Sequence, residues 1–183
     1  MKIKLATYLE PDSIVDGEGI RTVIWTQGCS HNCKGCHNPS THDFKGGFSY
    51  DTKEIISDIN KLKYQNGITF SGGDPMFQPE ACGEIAKAAK KKGLNIWCYT
   101  GFTFETLLIN SKTLEFLKNI DVLVDGKFIL SQRSLNLKFR GSENQRIIDV
   151  QKSLKENRVI LISKYMDEKD AIIKIPREEH IYI

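Results

Sequence analysis

Cys29, Cys33 and Cys36 follow one another as C-x3-C-x2-C within eight residues. Thiolates are soft ligands suited to zinc and to iron–sulfur clusters, and three on one short loop supply most of a metal centre. In a cube of four irons, three cysteines leave one iron open to a molecule that is to react. The competing reading is a small zinc site completed by His31, His37 or His42, all in or beside the loop. Zinc sites commonly pair two ligand halves across a longer spacer, and no second half follows downstream. Cys82 falls on an apolar helix face and Cys98 inside a strand pattern, so both read as buried, inert thiols.

A second stretch able to bind something is Ser71-Gly72-Gly73-Asp74. Glycines at a strand end let the backbone approach a ligand, whose polar ends the exposed N–H and C=O groups then meet. Alone, such a stretch is a tight turn; one strand-helix unit after the cysteine loop it is a candidate partner site. Tyr99 and Thr100 close a strand pattern on the same side. Lys127 and Arg140 are cations for a carboxylate or a docking partner, or plain surface charges. Arg21 is expected to form a structural ion pair with Asp16 or Glu18. Gly17 and Gly19 lack the third glycine and the preceding strand of a dinucleotide fingerprint.

These residues need a scaffold. The apolar run 20–26 reads as the strand that delivers the cysteines. Asp51-Thr52-Lys53-Glu54 is a capping box opening a helix with Ile55, Ile56, Ile59 and Leu62 on its apolar face. Ile68-Thr69-Phe70 is a short buried strand, and Pro79 suits the first turn of a helix stopped at Gly93. Residues 94–99 and 121–125 are strands, with helical material at 103–119 broken near Asn110-Ser111. Strand patterns at 146–150 and 158–162 flank a short polar helix. Alternating strands and helices with short linkers predict an α/β fold, a parallel sheet with helices packed outside. There are too few elements for eight strands in a closed ring, so a partial, open β/α barrel is expected. Sites in such sheets gather at the carboxyl ends of the strands, which would bring the cysteine loop, Ser71–Asp74, Thr100-Gly101 and Gly126-Lys127 to one rim.

The 183 residues suffice for a single domain, 1–183, with 40% apolar and 27% charged residues. A net charge of +3 is too small to argue for a nucleic-acid partner, and Lys90-Lys91-Lys92 complements a helix carboxyl end. Residues 1–10 carry no apolar core of a signal peptide, and no stretch approaches a membrane span. A cytoplasmic protein is expected, where thiols stay reduced, and five cysteines fit a disulfide framework badly.

Three segments carry a family likeness. Val15-Asp16-Gly17-Glu18-Gly19-Ile20-Arg21, Thr26-Gln27-Gly28-Cys29 through Cys36-His37-Asn38-Pro39, and Ser71-Gly72-Gly73-Asp74-Pro75 resemble the radical S-adenosylmethionine superfamily. Within it they resemble the activating proteins of glycyl-radical enzymes. Gly35 before the third cysteine, Asp125-Gly126-Lys127-Phe128, and Phe139-Arg140-Gly141-Ser142-Glu143-Asn144-Gln145-Arg146 are most similar to the branch serving the anaerobic (class III) ribonucleoside-triphosphate reductase. The likeness spans about residues 8–155, with 156–183 beyond it.

The resemblance implies a [4Fe–4S] cluster on Cys29, Cys33 and Cys36, whose fourth iron takes the amino and carboxylate groups of S-adenosyl-L-methionine. It places Gly35, Cys36 and His37 along the adenosyl side. Gly72, Gly73 and Asp74 are placed at the methionyl end, Asp74 standing where many members carry Glu. Lys127, Arg140 and Thr100 are further candidate contacts. Reductive cleavage then yields methionine and a 5′-deoxyadenosyl radical, which takes hydrogen from a glycine of the reductase's glycyl-radical subunit. Flavodoxin or ferredoxin is the implied electron donor. Two alternatives remain: activation of another glycyl-radical enzyme of the formate-lyase type, and a zinc-structured binding module.

Overall fold

A computed structural model describes residues 1–166. In chain order the strands and helices are β1 (Lys2–Leu5), β2 (Glu10–Ser13), β3 (Arg21–Thr26), β4 (Phe48–Asp51), α1 (Thr52–Lys61), β5 (Gly67–Gly72) and α2 (Pro79–Lys91). They continue with β6 (Asn95–Tyr99), α3 (Phe104–Ile109), α4 (Ser111–Leu117), β7 (Val122–Asp125), β8 (Arg146–Asp149) and α5 (Val150–Glu156).

The eight strands form one open sheet in the order β4-β1-β3-β5-β6-β7-β8, with β2 also paired to β3. Its centre, β3-β5-β6-β7, is parallel, as expected from strand-helix alternation. Central parallel strands are covered on both faces and read as continuous apolar runs. Ile68 and Phe70 of β5, Ile96–Cys98 of β6, and Val122–Val124 of β7 are all buried.

The flanks correct the all-parallel expectation. β1 runs antiparallel to β3 and β4, β2 antiparallel to β3, and β8 antiparallel to β7. Lys2 and Lys4 alternate with buried Ile3 and Leu5, a period-two pattern whose few residues carry little signal. The expected strand at 158–162 is reduced to a single bridge, Leu161 to Ile148. Asn157, in the left-handed conformation after α5, returns the chain beside β8 for only a few residues.

The helices form where local chemistry starts and stops them. Asp51 and Glu54 complete the capping box of α1, and Pro79 occupies the first turn of α2. The break between α3 and α4 is Asn110, whose extended backbone ends one helix while its side chain accepts the Lys112 N–H to cap the next. One apolar core joins α1, α2 and α4 to the sheet through Ile55, Ile59, Ile85, Ala86, Phe116, Phe70 and Cys98. A second cluster, Trp97, Val124, Ile147 and Tyr165, packs on the opposite face. Cys82 and Cys98 are fully buried, and burial raises both thiols, as the inert reading requires.

Among the described residues no helix is long and apolar enough to cross a membrane. The part of the expected C-terminal extension past residue 166 lies outside the described residues.

Candidate functional site

Parallel register brings the carboxyl ends of β3, β5, β6 and β7 to one edge, Thr26 opposite Gly72 and Tyr99 opposite Val124. The loops that follow surround an open cleft of about 450 Å³. Cys29, Cys33 and Cys36 line it together with Gly72, Gly73 and Thr100. The rim expected from the strand order is therefore the rim that forms.

The cysteine loop is anchored by backbone bonds at its start. Gly28 N–H donates to Thr41 O at 2.8 Å and Cys29 N–H to His42 O at 3.1 Å. Gly28 O accepts the Asp74 N–H at 2.9 Å, joining this loop to the one after β5. The two backbones touch at Gly73, where an added Cβ would lie 2.4 Å from Gly28 O. Only glycine permits that approach.

Farther along, Cys36 N–H donates to Cys33 O at 3.1 Å, closing a turn in which Gly35 has φ +75°. Cys36 Sγ accepts the Asn38 N–H at 3.4 Å, and His42 Nε2 lies 3.3 Å from the same sulfur. Donors aimed at sulfur suit a thiolate ligand, because they stabilise its charge. Burial is the largest influence on Cys29 and raises its thiol, so in the absence of a metal its anion is disfavoured.

The other expected residues divide. His37 lines the cleft with its ring 4.8 Å from that of Phe128. Gly35 lies off the lining, turned toward Leu130. Asp74 is also off the lining and 1% exposed. Its carboxylate accepts from Met76 N–H, Thr100 Oγ1 and Gly101 N–H and pairs with His31. Arg140 lines the cleft, with Nη1 donating to Glu143 O at 2.7 Å and Gln145 O at 3.1 Å. Lys127 is exposed and off the lining.

Arg21 departs from the expected ion pair. It is 1% exposed and donates to Thr69 Oγ1 and to the carbonyls of Glu18, Ile68 and Asn95. Its guanidinium lies 5.5 Å from the Trp97 ring centroid, and burial lowers its pKa to about 10. Carbonyl oxygens replace the carboxylate because the strand edges are nearer than any acid.

Several cleft residues escaped sequence reading in this role, His31 and Asp16 among them. Asp16 accepts from Ser13 Oγ at 2.5 Å, and burial raises its pKa. Their spacing from other motif residues is the only signal available in sequence, and it does not distinguish lining from packing.

The donor set fits a cluster. Three thiols and a glycine cradle face one cleft, whereas among the described residues no three Cys, His, Asp or Glu side chains are grouped to enclose a single metal ion. A cube takes one thiolate per iron and does not need them to converge on one point.

The description "4Fe-4S single cluster domain" fits a family model that matches residues 15–148, which defines the class. An anaerobic ribonucleoside-triphosphate reductase-activating protein of Enterobacteria phage T4 is 39% identical over 145 residues, 75% of this chain and 88% of the relative. Proteins of the same name from Haemophilus influenzae and Escherichia coli K12 are each 35% identical, covering 96% and 92% of their lengths and 76% and 74% of this chain. The chain belongs to the family of anaerobic ribonucleoside-triphosphate reductase-activating proteins. The [4Fe–4S] cluster expected from the resemblance is the group that the family description names. Among solved structures, QueE from Escherichia coli overlaps 56% of this chain and 54% of its own, with a TM-score of 0.48 and 14% identity.

Proposed function

We propose that the protein installs a glycyl radical on an anaerobic ribonucleoside-triphosphate reductase, acting as a radical S-adenosylmethionine activase. The observation that carries this reading is the shared cleft, in which Cys29, Cys33 and Cys36 face Gly72 and Gly73. In this reading the three thiolates hold the cluster, and the glycine turn receives the methionyl end of S-adenosyl-L-methionine. When bound, the reduced cluster and its cofactor supply one-electron cleavage of a sulfonium and removal of hydrogen from the partner's glycine.

The chain's own residues hold and shelter that chemistry. Gly73 N–H is spent on Thr26 O at 2.7 Å, so Gly73 has its carbonyl oxygen to offer an ammonium group. Cys36 and His37 form the adenosyl side, with Gly35 shaping the turn between the last two cysteines rather than touching the cofactor. Phe128, Leu137 and Phe139 line the cleft and give its wall an apolar surface. Arg140 braces the 139–146 turn as a wall of the cleft, and exposed Lys127 serves partner docking. Thr100 orients Asp74. A backbone glycine must be docked before cleavage, since an alkyl radical attacks whatever C–H bond is near.

The wider proposal is a single domain, 1–183, working in the cytoplasm. Its partner is the glycyl-radical subunit, and its electron donor a flavodoxin or ferredoxin. Neither a membrane nor a nucleic acid takes part.

Anaerobic reconstitution with iron and sulfide, then dithionite with S-adenosyl-L-methionine, is expected to release 5′-deoxyadenosine. With the reductase present, a doublet electron-spin signal of a glycyl radical is expected. A signal with a formate-lyase partner alone would transfer the assignment to that activase, and zinc without iron or sulfide would overturn the enzyme reading.

A further inference from the structure

Asp74 sits where three rim loops meet. Its carboxylate pairs with His31 Nε2 at 2.7 Å and accepts Gly101 N–H at 2.9 Å, Met76 N–H at 2.9 Å and Thr100 Oγ1 at 2.9 and 3.0 Å. His31 belongs to the cysteine loop, between Cys29 and Cys33; Asp74 follows the Gly72-Gly73 turn; Thr100 and Gly101 follow β6. A carboxylate accepts, so Nε2 of His31 is the donor. Among the described residues no other hydrogen bond links positions 30–35 to the sheet or to another rim loop.

Away from the cleft, the His31 ring is packed against its neighbours. It meets Phe102 edge-on with centroids 4.5 Å apart and lies 5.9 Å from Phe77. A Cβ on Gly101 would fall 2.5 Å from His31 Cδ2 and 2.7 Å from Nε2. Gly101 therefore lacks a side chain where this ring needs the space.

We infer that His31 and Asp74 are a positioning pair that sets the distance between the cysteine loop and the Gly72-Gly73 cradle. They thereby govern how S-adenosyl-L-methionine seats against the cluster. Asp74 does this from beneath the cleft and does not contact the cofactor. The inference rests on the reading of the cleft given above. Its physical basis is that a ligand bound by two loops at once feels their separation, and tolerances at such sites are about 0.5 Å. The backbone ties at Gly28 and Cys29 hold the start of the loop, and the Cys36 N–H to Cys33 O bond closes its end internally. These bonds leave the 30–35 stretch free to shift against the Gly72-Gly73 turn. The histidine bond removes that freedom.

The test uses the full-length protein, reconstituted anaerobically, as wild type, His31→Ala, His31→Gln, Asp74→Asn and the His31→Ala/Asp74→Asn double variant. Iron and sulfide content, the electron-spin spectrum of the reduced cluster, and the change that S-adenosyl-L-methionine makes in it are recorded. Titrating that change gives the affinity. His31→Ala and Asp74→Asn are each expected to keep their iron and to weaken cofactor binding by about tenfold. The double variant is expected to be no weaker than either single one, because one tie is broken once. His31→Gln, whose amide can donate to the same carboxylate, is expected to stay within about twofold of wild type.

Loss of the cofactor response in Asp74→Asn alongside a wild-type His31→Ala would make Asp74 a direct contact and overturn the pair. Additive losses in the double variant would overturn it too. Should His31→Ala fail to hold iron, Gly101→Ala displaces the same ring without removing it. Weakened cofactor binding with iron retained there supports the pair, and unchanged binding overturns it. A wild type that takes up no iron would instead overturn the reading of the cleft beneath it.

Discussion

Two cysteines in this chain make the most direct comparison at the residue scale. Cys33 lines the cleft, and Cys82 is sealed against the sheet by α2. Cys33→Ala is expected to abolish the visible absorbance of the reconstituted cluster and the formation of 5′-deoxyadenosine, while Cys82→Ala retains both. Cluster loss in Cys82→Ala with an unchanged circular dichroism spectrum would show that the ligands are misassigned. Arg21 provides the second residue-scale prediction. It satisfies three backbone carbonyls and the Thr69 hydroxyl from a fully buried position. Arg21→Met keeps much of the volume and removes the donors, leaving buried acceptors without partners at about 1–3 kcal/mol each where water cannot reach them. A loss of about 3 kcal/mol is expected, read from the urea midpoint at unchanged slope.

At the element scale, the end of the sheet is tied to α3 by charge. Arg146 of β8 donates to Glu105 at 2.9 and 2.7 Å, and its Nε donates to Asp125 of β7 at 2.9 Å. Asp125 in turn accepts the Phe104 N–H that opens α3. The Arg146 hydrogen bond lowers the Glu105 pKa below its ordinary 4.5. A carboxylate lowered on folding adds stability that is complete above its unfolded pKa and is lost as pH falls through the folded value. Wild type is therefore expected to exceed Glu105→Gln in melting temperature above about pH 5, the gap narrowing as pH falls below 4.5. A gap that widened on acidification would reverse the sign of this link. Glu105 is 44% exposed, so the gap should be small and should shrink in salt.

For the whole molecule, the open sheet needs a cover on the face away from its helices. Tyr165 packs edge-on against Trp97 and Phe139, with ring centroids 5.6 and 5.3 Å away. Phe139 also lines the cleft, so this aromatic cluster backs one wall of the site. The segment that supplies Tyr165 lies beyond the family match at 15–148. Tyr165→Ala is expected to cost about 2–3 kcal/mol and to shift tryptophan fluorescence to the red as Trp97 meets water. An unchanged emission maximum would mean that Trp97 is sealed by other side chains.

Local chemistry was legible from the chain alone. The capping box at Asp51 and Glu54, the Pro79 start, the Asn110 break and the apolar runs of β3, β5, β6 and β7 each depend on neighbours a few positions away. The same holds for C-x3-C-x2-C, whose spacing alone indicates a cluster loop, and for the Gly72-Gly73 turn at the end of a strand. Tertiary structure decided the antiparallel flanks, because β1, β4 and β8 are short strands whose partners are chosen by what edge remains open. It also decided which polar groups are spent on one another. Arg21 chose carbonyls 47 and 74 positions away over nearby acids, and Asp74 chose His31, 43 positions distant. A carboxylate beside a Gly-Gly turn looks the same in sequence whether it faces a ligand or a neighbouring loop. Only folding sets which partner reaches it first, since a buried charge must be satisfied by whatever donor the packing delivers.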